Sequence, residues 1–323
     1  VSPANLKGTH GYEISPGASL ALHTFTNRNT PLVSEWIKLP EHTALQDNQS
    51  IANKIKTVER KNLEFFTITT EDNVTMDGWI ITPENFDSSK KYPVLLYVYG
   101  EPGNTTVEDK FATGGNRLFD GDLSKSGYFY VSFNNRGTPT LKGSAWRKAI
   151  YRDIGGINIR DQAMAMKKLL QQRPYLDTAR VASWGWSGGG SSTLNLLFQY
   201  PDIFKTGIAV AAVANQLTYD NIYQERYMGP PQQTKADYIK GSPVTYAKNL
   251  RGNLLYIHGT GDDNVHYQNA EMLLNELIKY NKQFQFMAYP NRTHGISEGE
   301  GTTKHLRTLY TEYLLKYCPP GGR

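Results

Sequence analysis

The spacing of apolar and polar positions predicts a series of strands from residue 63 onward. Leu63 to Thr70 and Val74 to Thr82 alternate apolar and polar residues, as expected of an antiparallel pair. Pro93 to Tyr99 and Gly127 to Phe133 are apolar almost without interruption, which is typical of parallel strands covered on both faces.

The rest of the chain alternates such strands with helical segments. Further apolar strands are predicted at Val181 to Trp184, Gly207 to Val213, Leu254 to His258 and Phe284 to Tyr289. Helical spacing of apolar residues predicts helices at Ile159 to Gln171, Gln268 to Tyr280 and Thr302 to Lys316. This alternation predicts an α/β fold, with a mostly parallel sheet and helices on both faces.

Residues 1–55 have a different pattern. Short β-like pieces at Ala18 to Thr26 and Val33 to Leu39 are separated by turn-forming residues. So few antiparallel strands cannot bury a face on their own. We therefore expect residues 1–55 to be the end of a larger β structure with a linker, and residues 56–323 to form the α/β domain.

The composition argues against several kinds of function. The 323 residues carry a formal net charge of +5, but no basic run exceeds two residues, so no nucleic-acid interface is expected. Cys318 is the single cysteine, which rules out an intrachain disulfide. No Cys/His spacing indicates a metal site, and we expect no cofactor. No apolar run reaches the roughly 18 residues of a membrane span.

Ser187 lies in a Gly-x-Ser-x-Gly pattern between a predicted strand and a helical stretch. A sharp turn from strand to helix presents the serine oxygen at the top of a sheet, and the flanking Gly185 and Gly189 let the turn close. The free N–H groups of the following helix lie beside that oxygen. The pattern therefore predicts a serine nucleophile, provided that a base lies near it.

Acid and base candidates follow two later strands. Asp262 and Asp263 come after Leu254 to His258, and His294 comes after Phe284 to Tyr289. Active groups of a parallel α/β sheet gather beyond the carboxyl ends of its strands. The order Ser, Asp, His is that of the α/β-hydrolase fold. His294 is the expected base, whereas the residues alone do not choose between the two aspartates.

A tetrahedral intermediate needs donors for its oxyanion. One is expected to be the backbone N–H of Gly188, directly after the nucleophile. The other is expected from the loop around Tyr99 to Gly103, either as the Tyr99 hydroxyl or as a backbone N–H. The alternative for Tyr99 is that it merely ends its strand.

Three separate runs resemble the prolyl oligopeptidase family and, within it, the dipeptidyl peptidase IV branch. They are Trp184 to Gly189 (WGWSGG), Tyr219 to Gly229 (YDNIYQERYMG) and His258 to His266 (HGTGDDNVH). The resemblance covers about residues 60–318. It implies that Asp262 is the acid and that the Tyr99 hydroxyl is an oxyanion donor.

The resemblance also implies a pocket that accepts proline, lined by Tyr219, Tyr223, Val213 and Val265. Asn264 is implied to hold a substrate carbonyl. An aromatic pocket suits a pyrrolidine ring, which is flat, apolar and without an N–H. Two departures matter. The branch commonly has tyrosine where Gly188 stands and an aromatic residue where Gln216 stands, so a wider or more polar pocket is expected here.

The leading hypothesis is a serine exopeptidase that cleaves after a penultimate proline or alanine through an acyl-enzyme. Peptides are the expected partner, and the resemblance also allows a homodimer, since this branch often dimerises through its hydrolase domain. The alternatives are an esterase or acylaminoacyl-type peptidase, a non-catalytic interaction module, and a fragment that is inactive without its propeller. The resemblance implies that residues 1–55 hold the last blade of an N-terminal propeller, at His10 to Leu39, and a linker. In this branch the propeller supplies the acidic residues that hold the substrate's free amine.

Overall fold

The computed structural model describes residues 2–55 and 62–323, which form two compact units. One unit contains the described residues of Val1–Lys61 together with Val107–Gly115. The other contains Asn62–Thr106 together with Asn116–Arg323. The expected domain boundary between residues 55 and 56 borders residues 56–61, outside the described residues, and stays a prediction.

The N-terminal unit is an antiparallel sheet of four strands in chain order, followed by a short helix. The elements are β1 (Thr9–Ile14), β2 (Leu20–Asn27), β3 (Thr30–Lys38), β4 (Thr43–Asp47) and α1 (Gln49–Ile55). Segment 107–115 joins this unit, because the Asp109 carboxylate accepts the Arg28 N–H at 2.7 Å and its carbonyl accepts the Thr9 hydroxyl at 3.0 Å. An antiparallel sheet of this kind is consistent with the last blade of a propeller.

The larger unit contains a sheet of eight strands in the order β12-β11-β10-β9-β7-β8-β6-β5. The strands are β5 (Leu63–Thr69), β6 (Thr75–Ile81), β7 (Tyr92–Tyr97), β8 (Phe129–Asn134), β9 (Leu176–Trp186), β10 (Thr206–Val210), β11 (Asn253–Gly259) and β12 (Gln285–Tyr289). Strand β6 pairs antiparallel with β5 and β8, and the remaining pairs are parallel. Each strand predicted from the sequence is present, with ends shifted by a few residues.

The α-helices of this unit follow the sheet strands as expected from the alternating pattern. They are α2 (Ser144–Lys148), α3 (Ile157–Gln172), α4 (Gly188–Gln199), α5 (Asn221–Met228), α6 (Pro231–Gly241), α7 (Gln268–Lys279) and α8 (Thr302–Tyr317). Across the residues that the structure describes, none of the helices is both long and apolar enough for a membrane crossing.

Alternate residues of β7 pack against different helices. Leu96 is fully buried in the core that includes Met166 of α3. Tyr97 points to the opposite face, since strand side chains alternate, and it stacks on Trp184 with ring centroids 4.8 Å apart. Trp184 in turn meets Tyr310 of α8 edge-on. Helices therefore cover both faces of the sheet, and the predicted α/β architecture is confirmed.

Candidate active site

Ser187 occupies the turn between β9, which ends at Trp186, and α4, which begins at Gly188. Its backbone has φ 59° and ψ −124°, a left-handed conformation that few residues other than glycine adopt. Two main-chain hydrogen bonds fix this geometry, from the Ser187 N–H to the Val210 carbonyl at 2.9 Å and from the Ser191 N–H to the Ser187 carbonyl at 3.0 Å. Strain of this kind is typical of functional sites.

The glycines on either side of Ser187 permit close packing of the turn. A Cβ on Gly185 would lie 2.3 Å from the Gly189 carbonyl oxygen and 2.5 Å from that of Val98. A Cβ on Gly189 would lie 2.3 Å from the same Val98 oxygen. Both positions therefore require glycine, because the turn lies directly against the end of β7.

Asp262, and not Asp263, contacts His294. The Asp262 side chain is buried, and its Oδ2 accepts the Nδ1–H of His294 at 2.8 Å. Its Oδ1 accepts the backbone N–H groups of Asn264 at 3.0 Å and Val265 at 2.8 Å. Asp263 is exposed. The structure thus distinguishes the two aspartates that the residues alone left open.

His258 is a second histidine beside the same carboxylate. Its Nε2 lies 3.3 Å from Asp262 Oδ2 and donates to the Val265 carbonyl at 2.8 Å. Burial raises the pKa of Asp262, but hydrogen bonds from His258 and His294 outweigh it and hold that pKa well below its usual range. The carboxyl is therefore ionised.

The acid and base loops are held against each other and beside the serine turn. A Cβ on Gly259 would lie 2.3 Å from the Arg292 carbonyl oxygen, and this oxygen also accepts the Gly261 N–H at 3.1 Å. The Trp186 indole N–H donates to the His294 carbonyl at 2.9 Å. The residue before the nucleophile therefore anchors the loop of the expected base.

The expected oxyanion donors lie in α4 and in the loop that follows β7. Gly188 is the first residue of α4, and Tyr99 follows β7 in the loop, two residues past its last member. The Tyr99 carbonyl accepts the Ser192 hydroxyl at 2.8 Å, which fastens the loop to α4. Burial and the nearby Glu101 raise the pKa of Tyr99, so its hydroxyl stays protonated and able to donate.

Tyr219 and Asn264, two of the expected pocket residues, line a cavity of about 510 Å³. The Tyr219 hydroxyl donates to Asn264 Oδ1 at 2.8 Å, and the Tyr219 ring meets the Tyr223 ring edge-on at 5.6 Å. The cavity is lined by Thr218, Tyr219, Asp220, Ile222, Asp263, Asn264 and His266. With its oxygen occupied, Asn264 keeps its amide N–H groups as donors, and its contact with a substrate carbonyl stays a prediction.

Val213 and Val265 are deeply buried around the site. The Val213 N–H donates to the Ser191 hydroxyl at 2.9 Å, and Val265 supplies one of the N–H groups that hold Asp262. Both residues thus fix the backbone near the nucleophile and the acid. Their contact with substrate stays a prediction.

A second buried carboxyl, Glu101, was not among the expected site residues. It is 4% exposed, and its Oε2 accepts the Tyr223 hydroxyl at 3.0 Å. A Cβ on Gly188 would lie 2.9 Å from the same oxygen. Burial raises the pKa of Glu101 to about 7, although Tyr223 and the amide of Gln216 favour its charged form.

In the N-terminal unit, His23, Glu35 and His42 place potential metal-ligand atoms within 4.8 Å of one another. Both ring nitrogens of His23 already have partners, namely Glu35 Oε1 at 2.8 Å and His10 Nδ1 at 2.9 Å. Burial lowers the pKa of His23 even though the Glu35 bond opposes the shift. Internal hydrogen bonds therefore explain why His23 lies so close to Glu35 and His10.

The sheet order, the serine turn after β9 and the loops after β11 and β12 define an α/β-hydrolase. The prolyl oligopeptidase family matches residues 122–318, and the chain belongs to this family. Both the predicted fold class and the family resemblance are confirmed.

Relatives of the chain include peptidases from animals, fungi and bacteria. It is 35% identical over 283 residues to prolyl endopeptidase FAP of Mus musculus, covering 86% of this chain and 36% of that protein. It is 37% identical over 261 residues to a probable dipeptidyl-aminopeptidase B of Trichophyton verrucosum, covering 78% of this chain and 28% of that protein. The chain thus spans about a third of the length of the curated relatives it matches.

A solved structure extends the likeness over nearly the whole chain. The crystal structure of Porphyromonas gingivalis dipeptidyl peptidase 4 matches with a TM-score of 0.86 and 33% sequence identity. The match covers 96% of this chain and 44% of that one.

Proposed function

We propose that the chain is the catalytic part of a serine exopeptidase that cleaves peptides after a penultimate proline or alanine. The observation that carries the proposal is the hydrogen bond of 2.8 Å between the buried Asp262 carboxylate and His294, beside the strained Ser187 turn. The related proteins named above are a prolyl endopeptidase, a dipeptidyl-aminopeptidase and a dipeptidyl peptidase. All three names support peptide hydrolysis, the first supports cleavage at proline, and the other two support removal of a dipeptide.

The proposed chemistry follows from the hydrogen bonds. Because Nδ1–H of His294 donates to Asp262, Nε2 is left as the base that takes the Ser187 proton during attack on the substrate carbonyl. The Gly188 N–H and the Tyr99 hydroxyl stabilise the oxyanion of the tetrahedral intermediate. His294 then gives the proton to the leaving amine, and water hydrolyses the acyl-enzyme by the same route.

The aromatic residues after β10 supply the proposed binding groups. The rings of Tyr219 and Tyr223 form an apolar corner for the residue before the scissile bond. The amide of Asn264, oriented by the Tyr219 hydroxyl, donates to a substrate carbonyl. Val213 and Val265 complete the proposed lining.

A fluorophosphonate probe tests the nucleophile directly. We expect covalent labelling that maps to Ser187, no label on the Ser187→Ala variant, and full labelling of Ser297→Ala, an exposed serine that serves as the matched control. An unlabelled Ser187 in the folded protein would overturn the enzymatic proposal.

Substrate class is tested with pairs of compounds. We expect hydrolysis of Gly-Pro and Gly-Ala arylamides, and weaker hydrolysis of their N-acetylated forms. Turnover of simple esters without arylamides would favour the esterase alternative. Equal turnover of free and acetylated amides would favour the acylaminoacyl-type alternative.

A homodimer formed through the hydrolase domain is also proposed, on the strength of the family resemblance. Sedimentation equilibrium of the purified chain tests it. A single species at the 36.4 kDa mass of one chain across the concentration range would contradict it.

A further inference from the structure

Three segments of the chain converge on the carboxyl of Glu101. Glu101 follows β7, Gly188 begins α4, and Tyr223 lies in α5. The Tyr223 hydroxyl donates to Glu101 Oε2, and a Cβ on Gly188 would lie 2.9 Å from both Cδ and Oε2. The carboxyl therefore lies against the backbone of the residue that follows the nucleophile.

This position coincides with the two departures from the family pattern. Gly188 and Gln216 stand where the branch commonly has aromatic side chains, and both are neighbours of Glu101. A tyrosine at position 188 would require the Glu101 carboxyl to shift, because its Cβ would lie 2.9 Å from Cδ and Oε2 of Glu101. The departures thus form one arrangement, in which a carboxyl and an amide occupy space that aromatic rings fill in the relatives.

In the part of the chain that the structure describes, the Glu101 carboxyl has no cationic partner, although a buried acid normally has one. Among residues 2–55 and 62–323, no ion pair involves Glu101, and the groups acting on it are a phenol and an amide. Within the same described part of the chain, the buried Gln224 Oε1 lacks a hydrogen-bond partner, and its Nε2 donates to Gln216 Oε1, which leaves the Gln216 amide nitrogen to act on Glu101. A buried carboxyl without a cationic partner has acceptor capacity to spare, and one that lies against the residue after Ser187 therefore indicates a polar ligand.

We propose that Glu101 forms part of the subsite for the residue before the scissile bond, and that this subsite takes a side chain that donates a hydrogen bond. The proposal rests on the proposed function and narrows its substrate class. An unsubstituted proline or alanine side chain has no donor, whereas hydroxyproline, serine and lysine have one. A hydroxyl and an ammonium group share this chemistry, and the experiment separates them.

The test uses p-nitrophenyl esters of N-acetyl amino acids, which need only this subsite and the nucleophile. Three matched pairs isolate the donor, namely hydroxyproline with proline, serine with alanine, and lysine with norleucine. In the native chain we expect kcat/KM to favour the donor in at least one pair by about tenfold or more. In Glu101→Ala that ratio falls to within about twofold.

A conservative variant distinguishes the two donor types. Glu101→Gln keeps an acceptor oxygen but no charge, so a hydroxyl preference falls only a few-fold while an ammonium preference is lost. Glu225→Gln removes an exposed carboxylate from the same helix as Tyr223 and serves as the matched control. Ratios near one for all three pairs in the native chain would overturn the inference, as would a large ratio that survives in both Glu101 variants.

Packing against the nucleophile turn is tested separately. Gly188→Ala keeps the proposed oxyanion N–H but places a Cβ 2.9 Å from the carboxyl, so Glu101 must shift; ester hydrolysis is expected to drop and to recover partly when Glu101→Ala is added. Equal loss in both backgrounds would contradict the placement of Glu101. If the fluorophosphonate fails to label Ser187, the proposed function itself has failed, and this inference falls with it.

Discussion

Asp262 and Glu101 are both buried carboxyls within the same active-site region, and their pKa values move in opposite directions. Burial raises the pKa of each. Asp262 receives hydrogen bonds from two histidines and two backbone N–H groups, and the net pKa falls well below its usual range. Glu101 accepts a hydrogen bond from one phenol and has one amide nearby, and its pKa rises to about 7.

The partners therefore decide the charge state, while burial alone does not. A carboxyl surrounded by donors is fixed as an anion, which suits the role proposed for Asp262 of orienting His294 and stabilising its cation. A carboxyl with few donors stays within reach of protonation near neutral pH and has unused acceptor capacity. The first arrangement serves a permanent role, and the second leaves room for a ligand.

Replacing the acid tests the permanent role and has the largest expected effect. Asp262→Asn keeps the shape but loses the charge and disturbs the tautomer of His294. We expect kcat/KM to fall by about 10³- to 10⁴-fold, as for the equivalent change in other serine triads. The measurement is hydrolysis of an activated ester, together with the rate of fluorophosphonate labelling.

Asp263→Asn is the control for this change. Asp263 is exposed in the same loop, so its replacement is expected to change the rate by no more than about twofold. Comparable losses in the two variants would contradict the assignment of Asp262 as the acid.

Removing the second carboxyl is expected to change stability rather than abolish chemistry. The folded-state pKa of Glu101 is about 7, against an ordinary value of 4.5. The folded state holds the proton more tightly, so this contribution to stability is present below pH 4.5 and is lost as the pH rises to about 7. The loss amounts to roughly 3 kcal/mol.

Glu101→Gln removes that titration. We expect the free energy of unfolding of the variant, relative to the native chain, to increase by roughly 3 kcal/mol between pH 4.5 and 8, measured by urea denaturation. Groups elsewhere titrate alike in both proteins and cancel in the difference. A pH-independent difference would show that Glu101 titrates normally, and the contrast with Asp262 would disappear.

The sequence predicted the parts of this site that depend on local pattern. Apolar runs report burial, so the strands were predictable. Ser187 directly follows a strand, and Asp262 and His294 lie in the loops that follow two others. The residues alone could not predict which of the two aspartates contacts His294, because both lie in one loop. Only the fold shows that the Asp262 side chain reaches the Val265 N–H.

The environment of Glu101 could not be predicted, because its contacts join distant segments. Tyr223 is 122 residues away along the chain. The one available signal was the loss of aromatic volume at Gly188 and Gln216, since protein interiors are closely packed and another side chain must fill the space. The return of segment 107–115 to the N-terminal unit was hidden for the same reason, as it rests on contacts such as that of Asp109 with Arg28.

The smallest expected effect concerns the single phenol bonded to Glu101. Tyr223→Phe removes a donor that favours the carboxylate, so the pKa of Glu101 is expected to rise above 7 by about one unit. Stability that the native chain loses by pH 7 would then be retained to about one pH unit higher. The measurement is the unfolding free energy of Tyr223→Phe minus that of the double variant with Glu101→Gln, followed against pH.

Tyr227→Phe, on the same helix, removes a hydroxyl while leaving the Tyr223–Glu101 bond in place, and should leave the midpoint of the native difference curve unchanged. An unchanged midpoint in Tyr223→Phe as well would mean that the Tyr223–Glu101 hydrogen bond does not set the charge of Glu101. In that case the number of donors would not explain why the two carboxyls differ.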